Sequence, residues 1–173
     1  KQYSHFALED VKMSQQGRVE TGGRSEFFID TQSDILLDLF FTVESATANI
    51  PWAAEDLIKE IKIFSGDALL DLYTKDYQRV YYNFMLDADK KSQWDKMTSS
   101  IGTTGHTLYL PVIFGFCQND DQSIPHVALV NKNIRIEVTW GDTLTNLNES
   151  TVTLYGKFAY LQGEALNHAK FTN

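Results

Sequence analysis

The amino-acid sequence predicts an all-β chain: an antiparallel β-sandwich or jelly roll of about eight strands with one short helical insertion. Three observations carry this. Short segments that alternate apolar and polar residues recur along the 173 residues, and period-two alternation marks a half-buried strand. Turn-forming stretches such as Gly22-Gly23, Ser65-Gly66 and Gly141-Asp142 separate them. Aromatic residues reach 13%, with 11 Phe, 8 Tyr and 3 Trp, and flat rings pack well on a pleated surface.

Taken in order, Ser4–Val11 is the first strand, with Phe6 and Leu8 at spacing two. Gly17 and Gly22-Gly23 turn the chain into Glu26–Asp30. Asp34–Val43 alternates clearly, with Leu37, Leu39, Phe41 and Val43 on one face and Leu36, Asp38, Phe40 and Thr42 on the other. Pro51 opens a stretch to Leu57 suited to one or two helical turns. Ile58–Phe64 returns to strand, and Ser65-Gly66-Asp67 folds Ala68–Tyr73 back on it as a hairpin. The helical insertion is Asp76–Leu86, where Tyr77, Val80, Tyr81 and Phe84 recur at three- and four-residue spacing and predict one apolar face. Lys90–Met97 extends it.

Leu108–Cys117 then raises a question. Leu108, Leu110, Val112, Phe114 and Phe116 line one face of a strand. Tyr109, Pro111, Ile113, Gly115 and Cys117 line the other, which is nearly as apolar. A strand at the surface of a sandwich has one wet face, so the second face needs a cover. A proline-led apolar segment, Ser123–Leu129, follows. Asn133–Trp140 is the cleanest amphipathic strand: Ile134, Ile136, Val138 and Trp140 point in, and Arg135, Glu137 and Thr139 point out. Thr151–Leu161 is the last long strand, burying Val152, Leu154, Phe158 and Tyr160. Residues 1–173 read as one domain without repeat, low-complexity tract or linker.

Charge and motif content narrow the function. The net charge is −8, from 15 Lys+Arg against 23 Asp+Glu. The basic residues are scattered, their densest cluster being Lys90-Lys91, which argues against direct nucleic-acid binding. No run of about 18 apolar residues appears, so membrane insertion is not expected. Cys117 stands alone, forms no internal disulfide and reads as a small buried hydrophobe. His5, His106, His126 and His168 are widely separated and make no metal-binding pair. Asp30-Thr31-Gln32 lacks the glycine of an aspartic-protease loop, and Asp120-Asp121 lacks the further oxygen ligands of a calcium loop. The expectation is a protein that is not an enzyme, with no catalytic, cofactor or metal site. Asn148 heads an N-x-S sequon with Glu149 and Ser150, a glycosylation acceptor for a chain that meets the machinery. The aromatic content supports an alternative, a lectin-like carbohydrate-binding jelly roll that stacks sugars on Trp52, Trp94 or Trp140.

Three consecutive segments resemble one family. They are Leu110-Pro111-Val112-Ile113-Phe114-Gly115-Phe116-Cys117-Gln118-Asn119, then Ser123-Ile124-Pro125-His126-Val127-Ala128-Leu129, then Ile134-Arg135-Ile136-Glu137-Val138. A leucine-proline strand ending in aromatics and a polar turn, a second proline-led strand and an alternating charged strand are similar to the major capsid proteins of nucleocytoplasmic large DNA viruses and their relatives. Tyr3-Ser4-His5-Phe6-Ala7, Leu57–Leu72 with its Ile-Lys-Ile-x-Ser-Gly core before a hairpin and a tyrosine-rich helix, and Tyr155–Leu161 with Gly163-Glu164-Ala165 match in the same order. The chain departs from the family at Asp120-Asp121, where glycine is frequent, and at Asn131-Lys132-Asn133.

The resemblance implies a structural virion protein located in the capsid shell. Family members carry two jelly rolls per chain and form trimers of pseudo-hexagonal outline that tile an icosahedral shell. This chain would be the first, N-terminal jelly roll of such a longer chain, or a single-jelly-roll minor capsid relative. Its partners would be copies of itself and neighbouring capsid proteins, with no cofactor. Tyr109, Ile113 and Cys117 then become expected interface residues, covered by the helical insertion, a second jelly roll or a neighbouring subunit.

Overall fold

A computed structural model of the chain describes residues 6–29, 34–45, 50–99, 107–118, 122–126, 133–147 and 150–161. Nine strands are described: β1 (Phe6–Lys12), β2 (Ser14–Gln16), β3 (Arg24–Phe28), β4 (Ile35–Glu44), β5 (Ile58–Ser65), β6 (Ala68–Thr74), β7 (Thr107–Pro111), β8 (Ile134–Trp140) and β9 (Thr151–Leu161). Two helices, α1 (Lys75–Phe84) and α2 (Ala88–Thr98), lie between β6 and β7. The strands form two antiparallel sheets, ordered β1-β9-β4-β7 and β2-β3-β8-β5-β6. Apart from the hairpins β2-β3 and β5-β6, chain neighbours switch between the sheets, which is the crossing pattern of a jelly roll.

The inner faces meet around an aromatic cluster. Phe27 and Trp140 rise from the five-stranded sheet and Phe41 from the four-stranded one. Their rings meet edge to face at 5.8, 5.9 and 6.2 Å between centroids. Such pairs add about 0.5–1.5 kcal/mol each beyond the area they bury. The buried indole N–H is satisfied, donating to Ser25 Oγ at 2.8 Å, and that hydroxyl donates to the Arg18 carbonyl. The expected alternation of β8 holds in full: Ile134, Ile136, Val138 and Trp140 are completely buried.

In β4 the alternation breaks once. Leu36, Leu39, Phe41 and Val43 are the residues with no exposed surface, so the inward set changes parity after Leu36. A bulge between Leu36 and Asp38 in the pairing with β9 explains this. One extra residue flips the faces on either side of it.

The strand expected over Leu108–Cys117 ends at Pro111. Proline supplies no N–H to continue the ladder. Val112 N–H still donates to the Leu39 carbonyl, and Gly115–Gln118 then close a 3-10 turn. Val112, Ile113 and Phe114 are all buried, because past Pro111 the segment lies in the core rather than in a sheet. Phe114 meets Tyr73 edge to face at 5.3 Å. The proline-led segment contributes one bridge, Leu36 to Ile124; residues 127–130 lie outside the described residues.

The helical insertion links the edge strands β6 and β7. Thr74 and Asp87 cap α1 and α2 with their side-chain oxygens. The helices clasp each other through Tyr81 against Trp94 and through the Tyr82 hydroxyl on Asp95. The apolar face expected on α1 is, however, turned outward. Its buried side chain is Gln78, whose amide donates to the Glu55 carbonyl. Tyr77, Val80 and Phe84 are exposed, and of the expected stripe Tyr81 alone packs on the core. Residues 51–57, expected to hold helical turns, contain a single 3-10 turn, Ala54–Asp56.

Gly141 is fixed by close approach. A Cβ there would lie 2.4 Å from the Asp56 carbonyl oxygen, a backbone atom, while Gly141 N–H donates to Leu57 O. Gly141→Ala should therefore lower stability by about 2 kcal/mol, read as a lower urea midpoint. An unchanged midpoint would contradict this packing.

Candidate assembly surfaces

With the inner faces joined, function falls to the outer faces and the helical edge. The outer face of the five-stranded sheet is ionic. Arg24 and Lys62 flank Glu137 at 3.5 and 3.9 Å, Lys62 also pairs with Glu60, and Arg135 contacts both Glu26 and Glu137. Glu26 and Glu137 stand directly opposite each other, and the Arg135 guanidinium relieves that repulsion. Arg135 also lies over the Phe64 ring at 4.4 Å. Three cations meet three anions across its centre, while at its β6 edge the register sets Leu72 opposite Lys62 and Leu69 opposite Phe64, with both leucines exposed.

The outer face of the four-stranded sheet differs. Directly opposed residues of antiparallel strands share a face, so the register defines rows across it. Phe6 faces Leu161, and Leu8, Ala159 and Ile35 form the next row. A charged row of Asp10, Lys157 and Asp38 follows. Beyond it come Lys12, Tyr155, Phe40 and Pro111, with Phe40 and Tyr155 stacked at 5.4 Å. Phe6 and Leu8, at spacing two in the sequence, are 58% and 52% exposed. An edge strand with this much exposed apolar side chain invites association.

The three expected interface residues fall in different places. Tyr109 stands on this outer face and is 42% exposed. Ile113 is buried within the chain, its N–H donating to the Tyr73 hydroxyl. Cys117 is half-buried. Ile113 and Cys117 line a groove of about 290 Å³ shared with Tyr81, Trp94, Met97 and Asp38. The cover over this part of the segment thus comes from the chain's own helical insertion.

Asp38 and Cys117 interact across that groove. Burial pushes the Asp38 carboxyl above its ordinary value, while the Leu39 N–H, the Cys117 thiol and the Lys157 charge pull it down, and the Asp10 charge adds to the rise. Burial, then the Asp38 charge, push the Cys117 thiol far up, so it stays protonated and is no nucleophile. Because the folded carboxyl holds its proton more tightly than the unfolded one, stability falls as pH rises through the window just above the ordinary carboxylate value. Asp38→Asn keeps an acceptor for Leu39 N–H and removes the buried charge. Its urea midpoint should exceed that of the parent at pH 7 and match it near pH 3; equal midpoints at both would contradict the assignment.

All three tryptophans are buried. Trp52 and Trp140 spend their N–H groups on Thr145 O and Ser25 Oγ. The stacking platform that motivated the carbohydrate-binding alternative is therefore absent at these residues. Asn148, Asp30-Thr31-Gln32, Asp120-Asp121, His5, His106 and His168 lie outside the described residues; His126 is described. Among the described residues no three His, Cys, Asp or Glu side chains gather as a metal site, and no helix is long and apolar enough to cross a membrane.

Comparison with known proteins agrees with this geometry. The chain is 21% identical to the major capsid protein of Pyramimonas orientalis virus over 93% of its length, and 22% identical to that of Paramecium bursaria Chlorella virus 1 over 86%. It spans less than half of each relative, 46% and 36%. Among solved structures, VP54 of PBCV-1, fitted into a reconstruction of the virophage Sputnik, superposes with a TM-score of 0.86 at 18% identity. That match covers 99% of this chain and 46% of VP54. The Faustovirus major capsid protein superposes with a TM-score of 0.71 at 10% identity, covering 97% of this chain and 56% of that one. The family described as major capsid protein N-terminus matches residues 1–170, and the chain belongs to it.

Proposed function

We propose that this chain is the N-terminal jelly roll of a major capsid protein, a structural component of a large DNA virus shell that acts by assembly and not by catalysis. The single observation that carries the reading is the unlike chemistry of the two outer faces. The five-stranded sheet neutralises its own charges and exposes Leu69 and Leu72 at its β6 edge, whereas the four-stranded sheet leaves Phe6, Leu8 and Tyr109 exposed across β1 and β7. Fully burying one large apolar side chain contributes roughly 1.5–3 kcal/mol, so a few such residues per copy suffice to drive association. The fold supplies a rigid block, and symmetric repetition of modest contacts closes a shell.

The family membership supports the finer part of the proposal. A second jelly roll in the complete protein would give three chains six similar lobes, hence a trimer of pseudo-hexagonal outline that tiles an icosahedral lattice. The acidic balance of −8 suits a shell protein that does not grip the genome directly. Native mass spectrometry and electron microscopy of the complete gene product should show a trimer with a hexagonal projection. A monomer that persists at high concentration would overturn the proposal.

A further inference from the structure

The groove between the helical insertion and the segment after Pro111 differs in kind from the sheet surfaces. It measures about 290 Å³, near the lower end of small-molecule pockets at about 300 Å³. Three parts of the fold build it. Tyr81 and Trp94, their ring centroids 6.3 Å apart, and Met97 come from the helices. Ile113 and Cys117 come from the segment after β7, and Asp38 comes from the bulged stretch of β4. A half-buried carboxyl group thus stands among aromatic and aliphatic side chains.

The charge at Asp38 is incompletely balanced. The register places Lys157 between Asp38 and Asp10, so one lysine serves two carboxylates. Lys90, which also lines the groove, lies 3.9 Å from Asp87 instead. Asp38 itself makes no ion pair among the described residues. The Leu39 N–H at 2.7 Å and the Cys117 thiol donate to its oxygens without bringing charge. A divalent metal ion is a poor match, because hard cations need several oxygen ligands and no three ligating side chains gather among the described residues. An organic cation needs one carboxylate and apolar walls, and aromatic rings attract ammonium groups. We propose that the groove binds a small alkylammonium, its charged head on Asp38 and its hydrocarbon chain against Tyr81, Trp94, Met97 and Ile113. The site lies within one chain, so it stands or falls independently of the assembly reading.

Titrating the chain with hexylamine, hexanol and hexanoate at pH 7, followed by amide NMR shifts, tests this. Hexylamine should shift the Leu39, Ile113 and Cys117 amides and bind about tenfold more tightly than hexanol. Hexanoate should bind more weakly than either. Asp38→Asn, expected above to fold more stably than the parent, should bring hexylamine down to the level of hexanol. Met97→Ala should weaken hexylamine and hexanol by the same factor. Equal affinities for the amine and the alcohol, an amine affinity unchanged in Asp38→Asn, shifts confined to other residues, or no binding at all would overturn the proposal. Nα-acetyl-lysine methylamide carries the same ammonium on a peptide unit and separates the two sources of such a group. Tighter binding of that compound than of hexylamine would assign the groove to a protein lysine and overturn the small-ligand reading.

Discussion

A β-sheet with apolar side chains on both faces has to be covered on both, and that constraint governs this molecule. The four-stranded sheet has the problem twice over. Its inner face is closed by the five-stranded sheet, through Leu36, Leu39, Phe41 and Val43 and their partners across the sandwich. Its outer face carries Phe6, Leu8, Phe40, Tyr155 and Tyr109, with the charged row of Asp10, Lys157 and Asp38 crossing it and Lys12 and Glu44 beside the aromatic rows. The five-stranded sheet shows how the same fold meets water when it is meant to, with Glu137 held among Arg24, Lys62 and Arg135. Apart from the β6 edge, where Leu69 and Leu72 are exposed, the two sheets of one sandwich thus carry unlike outer surfaces.

The helical insertion has two roles that follow from its position. By linking β6 to β7, it joins edge strands of both sheets on one side of the sandwich, with α2 packed beside β7. It also buries Ile113, turning a strand that looked apolar on both sides into a short strand and a core segment. Its outward stripe is the consequence: with Gln78 taking the inner position, Tyr77, Val80 and Phe84 are left on the surface, while Tyr81 and Tyr82 pack at the core's edge. Structure and surface chemistry here come from the same choice of residue.

Much of the fold was legible because strand alternation is a local signal. β5, β6, β8 and β9 follow the pattern read from their residues, and Asn133–Trp140 reads the same in sequence and space. The failures are where non-local geometry overrides periodicity. The bulge in β4 is set by pairing with β9, so nothing local places it at Leu37. The stop at Pro111 is signalled by the proline itself, but the alternation that continues to Cys117 conceals it. The stripe on α1 has the right period and the wrong direction, because periodicity finds a face without saying what it meets; the buried Gln78 between Tyr77 and Val80 was the available hint. Of the expected interface residues, Tyr109 lies on the surface because it belongs to β7 proper, and Ile113 does not because it follows the proline. Phe6 and Leu8 are more exposed than either, and their spacing alone could not distinguish a core face from a docking face.

The most direct test compares the two outer faces in one experiment. Hydroxyl-radical footprinting of the free chain and of assembled particles reports side-chain access at Phe6, Leu8, Phe40 and Tyr155 on one sheet, and at Phe28 and Phe64 on the other. The account predicts strong protection of the first group on assembly and little change in the second. Protection confined to Phe28 and Phe64, with the first group as reactive as before, would contradict it.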